Sequence, residues 1–265
     1  MIIDFHVHCF PDELAQRAVK SIAERANITP RADGTMNNIR ASMKKAGIEY
    51  SVLLSIATKP TQTETINNWS ASMNSGDIIA FGSIHPDYKD WKNELKRIKE
   101  LGLKGIKLHP DYQLFYIDEK RMYPIYESLF DLGLMLVFHA GRDISVPGPC
   151  HCTPEMLMKL NKDFKGSKII AAHMGSFSYW DDVERYIVGT DIYIDTSYCL
   201  GVMNAEQAKR IILDHGYEKV LFASDSPWTD QMEEITNLKS LELGAEVENA
   251  ILGLNALKLL GIDRN

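Results

Sequence analysis

The sequence predicts the α/β class and, within it, a single (β/α)8 barrel of the TIM type with an extra helix at the C-terminus. Three observations lead there. Short apolar segments alternate with amphipathic ones eight times along the chain. The apolar segments are near-continuous runs, as parallel strands covered on both faces require. The 265 residues are the length of one such barrel. An open doubly wound sheet is the competing architecture, but its first strand usually leads into a glycine-rich phosphate turn. Here that turn is His8-Cys9-Phe10-Pro11. No linker, repeat or low-complexity stretch breaks the alternation, so one domain over 1–265 is expected.

The elements follow in order. Ile2 to Phe5 reads as the first strand, closed by His6 and His8. A helix is predicted from about Glu13 to Ala26, and another from Asn37 to Ala46 that Gly47 stops. β-Branched and apolar residues predict strands at Tyr50 to Ile56 and Ile78 to Ile84, on either side of a helix from Thr61 to Asn74. The charged amphipathic stretch Lys89 to Leu101 is the next helix, and Gly105 to Pro110 is the fourth strand. A helix from Met122 to Leu132 stops at Gly133, and Leu134 to His139 is the fifth strand. Thr153 can cap a helix through Leu160, with Pro154 in its first turn and Glu155 just inside. Lys168 to His173, Asp191 to Thr196 and Lys219 to Asp225 complete the strands. Helices at Tyr179 to Val188 and Asn204 to His215 separate them, and two more, Met232 to Leu241 and Glu246 to Leu260, end the chain.

Composition excludes several functions. The net charge is −7, with acidic and basic residues mixed along the chain, so nucleic acid is not an expected partner. No apolar run approaches the ~18 residues of a membrane span. The first strand begins at the second residue with no targeting segment before it, so a cytoplasmic location is expected. Cys9, Cys150, Cys152 and Cys199 are too few for a disulfide framework and read as thiols.

In this architecture the chemistry gathers at the C-terminal ends of the strands. His6 and His8 share one face of strand one, with Asp4 below them on the same face. His139 ends strand five, His173 ends strand six and Asp225 ends strand eight. One buried histidine is usually a satisfied core residue. Four strand ends converging on one volume with ligand-type residues predict a metal site, because buried ionisable groups are costly unless paired or metal-bound. Lys107 and His109 share a face of strand four. Cys150-His151-Cys152 lies in a proline- and glycine-flanked loop and is read mainly as an active-site loop, with soft-metal binding as the alternative. His85 reads as a loop residue, and His215, at a helix end, as structural.

The motifs Asp4-Phe5-His6-Val7-His8, His139, His173 and Ser224-Asp225-Ser226-Pro227 resemble the amidohydrolase superfamily, in its aminocarboxymuconate-semialdehyde decarboxylase-like branch. The resemblance implies one divalent metal ion, with zinc preferred, held by His6, His8, His139 and Asp225. It implies that His173 acts as acid, base or polariser, and that Asp225 takes a proton from metal-bound water. Lys107 could instead be a carboxylated lysine bridging two metals, with His173 on the second; the mononuclear reading is favoured. Lys107, His109, Arg142 and Trp228 are the expected substrate contacts. Aromatic residues and cations in the loops suggest a small, partly flat anionic substrate, although the same aromatics could pack a homodimer interface. The leading expectation is a hydrolase in which metal-bound hydroxide attacks an amide, ester or lactone carbonyl. The alternatives are a non-oxidative decarboxylase of an unsaturated or aromatic acid and a non-catalytic metal-binding barrel.

Overall fold

The computed structural model describes residues 1–262, so the last three residues of the expected domain lie outside it. Eight strands and their helices alternate: β1 (Ile3–Val7), α1 (Asp12–Ala26), α2 (Met36–Ala46), β2 (Tyr50–Leu54), α3 (Thr63–Met73), β3 (Ile78–Phe81), α4 (Trp91–Glu100), β4 (Gly105–Leu108), α5 (Pro110–Gln113), α6 (Tyr123–Asp131), β5 (Met135–Phe138), α7 (Pro154–Asp163), β6 (Ile169–Ala171), α8 (Trp180–Tyr186), β7 (Tyr193–Asp195), α9 (Ala205–His215), β8 (Val220–Leu221), α10 (Gln231–Ser240), α11 (Ala245–Asn249) and α12 (Asn255–Leu260).

All strand pairs are parallel, and two ladders, β1 to β3 and β4 to β8, make up the sheet. Two seams close them into a barrel. Gly82 N–H donates to Gly105 O and Lys107 N–H to Gly82 O, both at 2.8 Å. Across the other seam Phe5 N–H donates to Phe222 O and Asp225 N–H to His6 O, also at 2.8 Å. Closure leaves no free sheet edge.

Ile3, Phe5, Phe81, Val137, Ile170 and Leu221 belong to one buried cluster with Ala256 and Leu259 of α12, which plugs the barrel. Gly105 makes room for Phe81, since a Cβ there would stand 2.5 Å from its ring. The helical run at the C-terminus is the predicted extra helix, broken by a π turn at Ala250–Leu254. The break has a use: Ile251 O accepts from Phe222 N–H at 3.0 Å. Asn255 Nδ2 donates to Tyr217 O and Val220 O, which ties the run to β8.

Three expectations need correction. The strands are shorter at their C-terminal ends than the apolar runs: β2 stops at Leu54, β3 at Phe81 and β8 at Leu221. The stretch after β4 carries the one-turn helix α5, capped by His109. Asp4 does not lie below the histidines. The register of β1 shifts between Asp4 and Val7, and an irregularity of that kind re-aims side chains. Asp4 instead accepts from Ser224 N–H at 2.9 Å, Ser224 Oγ at 2.6 Å and Gln231 Nε2 at 2.8 Å. It fastens β1 to the strand-eight loop and α10. Burial, offset in part by these bonds, raises its carboxyl to about 6.

Candidate active site

The strand ends bring His8, His139, His173 and Asp225 to one cavity of about 780 Å³, which Lys107, His109, Arg142 and Trp228 also line, and His6 is buried against His8 and Asp225. Hydrogen bonds assign which ring nitrogens carry protons. His6 Nδ1 lies 3.0 Å from Asp195 Oδ2, which can only accept, so the proton is on Nδ1. His8 Nδ1 donates to Leu54 O at 2.8 Å. Both Nε2 atoms therefore present lone pairs, and these face each other at 3.1 Å. Asp225 Oδ1 stands 3.2 Å from His8 Nε2 and 3.5 Å from His6 Nε2. Three lone-pair donors packed this closely repel one another unless a cation sits among them. A tetrahedron with bonds of ~2.05 Å has edges of ~3.3 Å, so the spacing fits a divalent ion.

The other two histidines form a chain behind this cluster. His173 Nδ1 lies 3.1 Å from Ser197 O, to which it donates, leaving Nε2 to accept from His139 Nδ1–H at 2.9 Å. His139 Nε2 is then a lone pair, and it has no hydrogen-bond partner. That orphaned atom suits a fourth ligand. The structure directs it toward Asp143 Oδ2, 3.9 Å away, rather than into the His6–His8–Asp225 group.

His109, His139 and Asp143 make a second group with metal-ligating atoms close together. The protons argue against an ion there. His109 Nδ1 accepts from Tyr112 N–H at 3.3 Å, so Nε2 carries the hydrogen and donates to Asp143 Oδ2 at 2.9 Å. Its ring is stacked between Tyr112 and His139, at centroid distances of 3.8 and 4.0 Å. His109 is a wall of the cavity rather than a ligand.

Burial favours the neutral form of His6 and His139. Burial, reinforced by Lys107, lowers His6 to about 3. Burial and then the neighbouring His109 and His173 hold His139 well below its ordinary value. Lys107 is fully buried, with Nζ 3.3 Å from His6 Nε2. Burial brings it down to about 8.

Backbone strain marks two of these residues. Asp225 has φ 70° and His173 φ 63°, in the left-handed region that costs a non-glycine residue ~1–3 kcal/mol. Backbone bonds hold both: Asp225 N–H to His6 O, and His173 N–H to Asp195 Oδ1 at 2.9 Å. Gly141 closes the wall between strands five and six. Its φ is 86°, and a Cβ there would come within 2.1 Å of Phe177 N. Only glycine allows the Gly141–Phe177 bridge that joins the two loops.

An amidohydrolase family model matches residues 3–262 of the sequence. The chain belongs to the amidohydrolase family. Solved structures are similar over nearly all of it. An uncharacterised TIM-barrel protein from Bordetella bronchiseptica is 19% identical with a TM-score of 0.79, covering 98% of both chains. A dihydroxybenzoic acid decarboxylase from Polaromonas sp. JS666, with bound manganese and the inhibitor 2-nitroresorcinol, is 17% identical with a TM-score of 0.75, over 100% of this chain and 98% of that one. The 5-carboxyvanillate decarboxylase from Sphingomonas paucimobilis is 17% identical with a TM-score of 0.73, covering 99% of both. At such identities the likeness establishes the barrel. No curated protein matches the sequence.

Within this family member, His6, His8 and Asp225 converge, while His139 and His173 stand as a hydrogen-bonded pair beside them. Arg142 and Trp228 line the cavity, with Arg142 exposed. Cys150 and Cys152 are free thiols, and His151 between them is turned onto Asp111, Nδ1 to Oδ1 at 2.6 Å. His215 Nε2 donates to Ile192 O at 2.8 Å, a structural role.

Two carboxylates escaped the sequence reading. Asp195, at the end of β7, binds His6 through Oδ2. Through Oδ1 it accepts from His173 N–H, Ser197 N–H at 3.1 Å and Ser197 Oγ at 2.5 Å. Burial works to raise its carboxyl, yet His6 leads the neighbours that hold it far below the usual range. Its strand-end position was the available signal. Asp143 lies in the loop after β5, where no periodicity marks it. Burial works against its charge, but His109 and Ser145 hold it at about 2. Among the described residues no helix is long and apolar enough to cross a membrane.

Proposed function

We propose that the protein is a metal-dependent decarboxylase that removes carbon dioxide, without redox chemistry, from a small aromatic or unsaturated carboxylic acid. One observation carries the reading. Lys107 is a fully buried cation on the cavity wall, and no carboxylate of the described residues is within 4.0 Å of its Nζ. A buried charge needs a partner, and a substrate carboxylate supplies one. The similarity in fold to aromatic-acid decarboxylases supports the same choice over the hydrolase expected first.

His6, His8 and Asp225 would hold one divalent ion. When bound, the ion polarises a substrate oxygen and draws negative charge toward it. Lys107 orients the carboxylate. His173 and Asp225 flank the cluster as the groups that hold and deliver a proton. The proton goes to the carbon that bears the carboxylate. The carbon–carbon bond then breaks, its electron pair restores the unsaturated system, and carbon dioxide leaves.

Hydrolysis of an amide, ester or lactone is the second reading, favoured by Asp225 beside the donor cluster, where it can take a proton from water. A panel of hydroxybenzoates, unsaturated acids, esters and lactones, offered to manganese- and zinc-loaded protein, separates the two. We expect carbon dioxide release from an acid, lost in Lys107→Met at unchanged metal content. Turnover of a lactone or ester with no acid releasing carbon dioxide refutes the decarboxylase.

A further inference from the structure

We infer that the cavity has a second, apolar compartment between α1 and α3, which binds a hydrocarbon substituent that the substrate carries away from its carboxylate. This rests on the reading that the carboxylate end lies at Lys107. Helix α1 has two apolar stripes. Ala15, Val19 and Ala23 face the core and are buried. Leu14, Ala18 and Ile22, one residue earlier at each turn, line the cavity, and Leu14 is 40% exposed. A helix on a barrel normally needs only the first stripe.

Helix α3 is inverted in the complementary sense. Its buried residues are Thr63, Asn67 and Ser70. Asn67 Nδ2 donates to Ser83 O at 3.0 Å, and Ser70 Oγ to Ser55 Oγ at 2.9 Å. The apolar residues Ile66 and Trp69 are left on the cavity side. Both helices thus turn hydrocarbon toward the same space, continuous with Lys107 and the histidines. The volume agrees, because about 780 Å³ lies in the upper part of the ~300–1,000 Å³ range of pockets that enclose drug-sized ligands. A monocyclic acid at the metal end leaves much of that space to be filled.

Two ligand series test the compartment by calorimetric titration of the manganese-loaded protein: benzoate with its 4-n-alkyl homologues from methyl to pentyl, and neutral n-alkylbenzenes of the same lengths. Affinity should rise about two- to fourfold per methylene, the range for burying hydrocarbon. Ala18→Trp should flatten both series while benzoate binds as before. Leu14→Gln, at the exposed end, should remove the gain for the longest members only. Unchanged metal content and melting temperature control for folding. Flat series in the natural protein, no binding by either series, or a length dependence that survives Ala18→Trp each overturn the compartment. So does a dimer that Leu14→Gln dissociates, which would assign the stripe to a second copy of the chain. Acids that bind with the expected length dependence but release no carbon dioxide refute the proposed reaction and leave the compartment standing.

Discussion

Asp195→Asn should cost the protein its grip on metal while leaving the barrel folded. The carboxylate accepts from His6 Nδ1–H through one oxygen and from the His173 and Ser197 backbone N–H groups through the other. An amide has only one oxygen. If that oxygen faces the backbone N–H groups, the amide NH2 meets His6 Nδ1 and moves the ring proton to Nε2, the atom that must bind the ion. If it faces His6, the NH2 opposes two N–H donors and the left-handed turn at His173 loses its anchor. Either arrangement damages the site. Loss of a carboxylate behind a ligating histidine typically weakens metal binding about 10–100-fold, or ~1.4–2.8 kcal/mol. Stability without metal should fall by ~1.5–3 kcal/mol, the contribution of a hydrogen bond to a charged group. Chelator competition measures the first quantity and urea unfolding in the presence of chelator the second. A variant that binds metal as tightly as the natural protein refutes the proton assignment at His6.

Three further outcomes follow from the same geometry. The His6→Ala, His8→Ala double variant should lose its metal, about one ion per chain, and keep its circular dichroism; full metal content in it, or two ions per natural chain, sinks the mononuclear assignment. Asp225→Asn should weaken but retain metal and lower kcat by about 10²–10⁴, whereas His173→Asn should lower kcat similarly at nearly unchanged metal content; the reverse pattern exchanges ligand and proton carrier. Glu234 is buried with one oxygen unpaired, and burial raises it from 4.5 to about 8. Between those values the folded state keeps a proton that the unfolded chain gives up, so stability falls as pH rises through the window. Glu234→Gln should therefore gain on the natural protein from pH 5 to 8, by up to ~1.36 kcal/mol per unit; a pH-independent difference in denaturant midpoint contradicts this.

Much of the fold was legible in the chain because its signals are local. Apolar runs of strand length, glycine stops such as Gly47 and Gly133, and the Thr153 cap each act within a few residues. The strand-end rule also found His6, His8, His139, His173 and Asp225, since the barrel topology places every strand end on one rim. The same rule, applied to β7, reaches Asp195. Other features depended on contacts between distant segments. The register shift in β1 moved Asp4 away from the histidines to Ser224, 220 residues along the chain. The proton on His6 is set by a carboxylate 189 residues away. His139 was expected among the ligands, but its free nitrogen is directed toward Asp143 because stacking on His109 and the bond to His173 orient the ring. The sequence thus determined which residue types reach the rim, because strand periodicity is a property of consecutive residues. The tertiary structure decided which atoms present lone pairs and which surfaces stay uncovered, because hydrogen-bond partners and packing neighbours come from elsewhere in the chain.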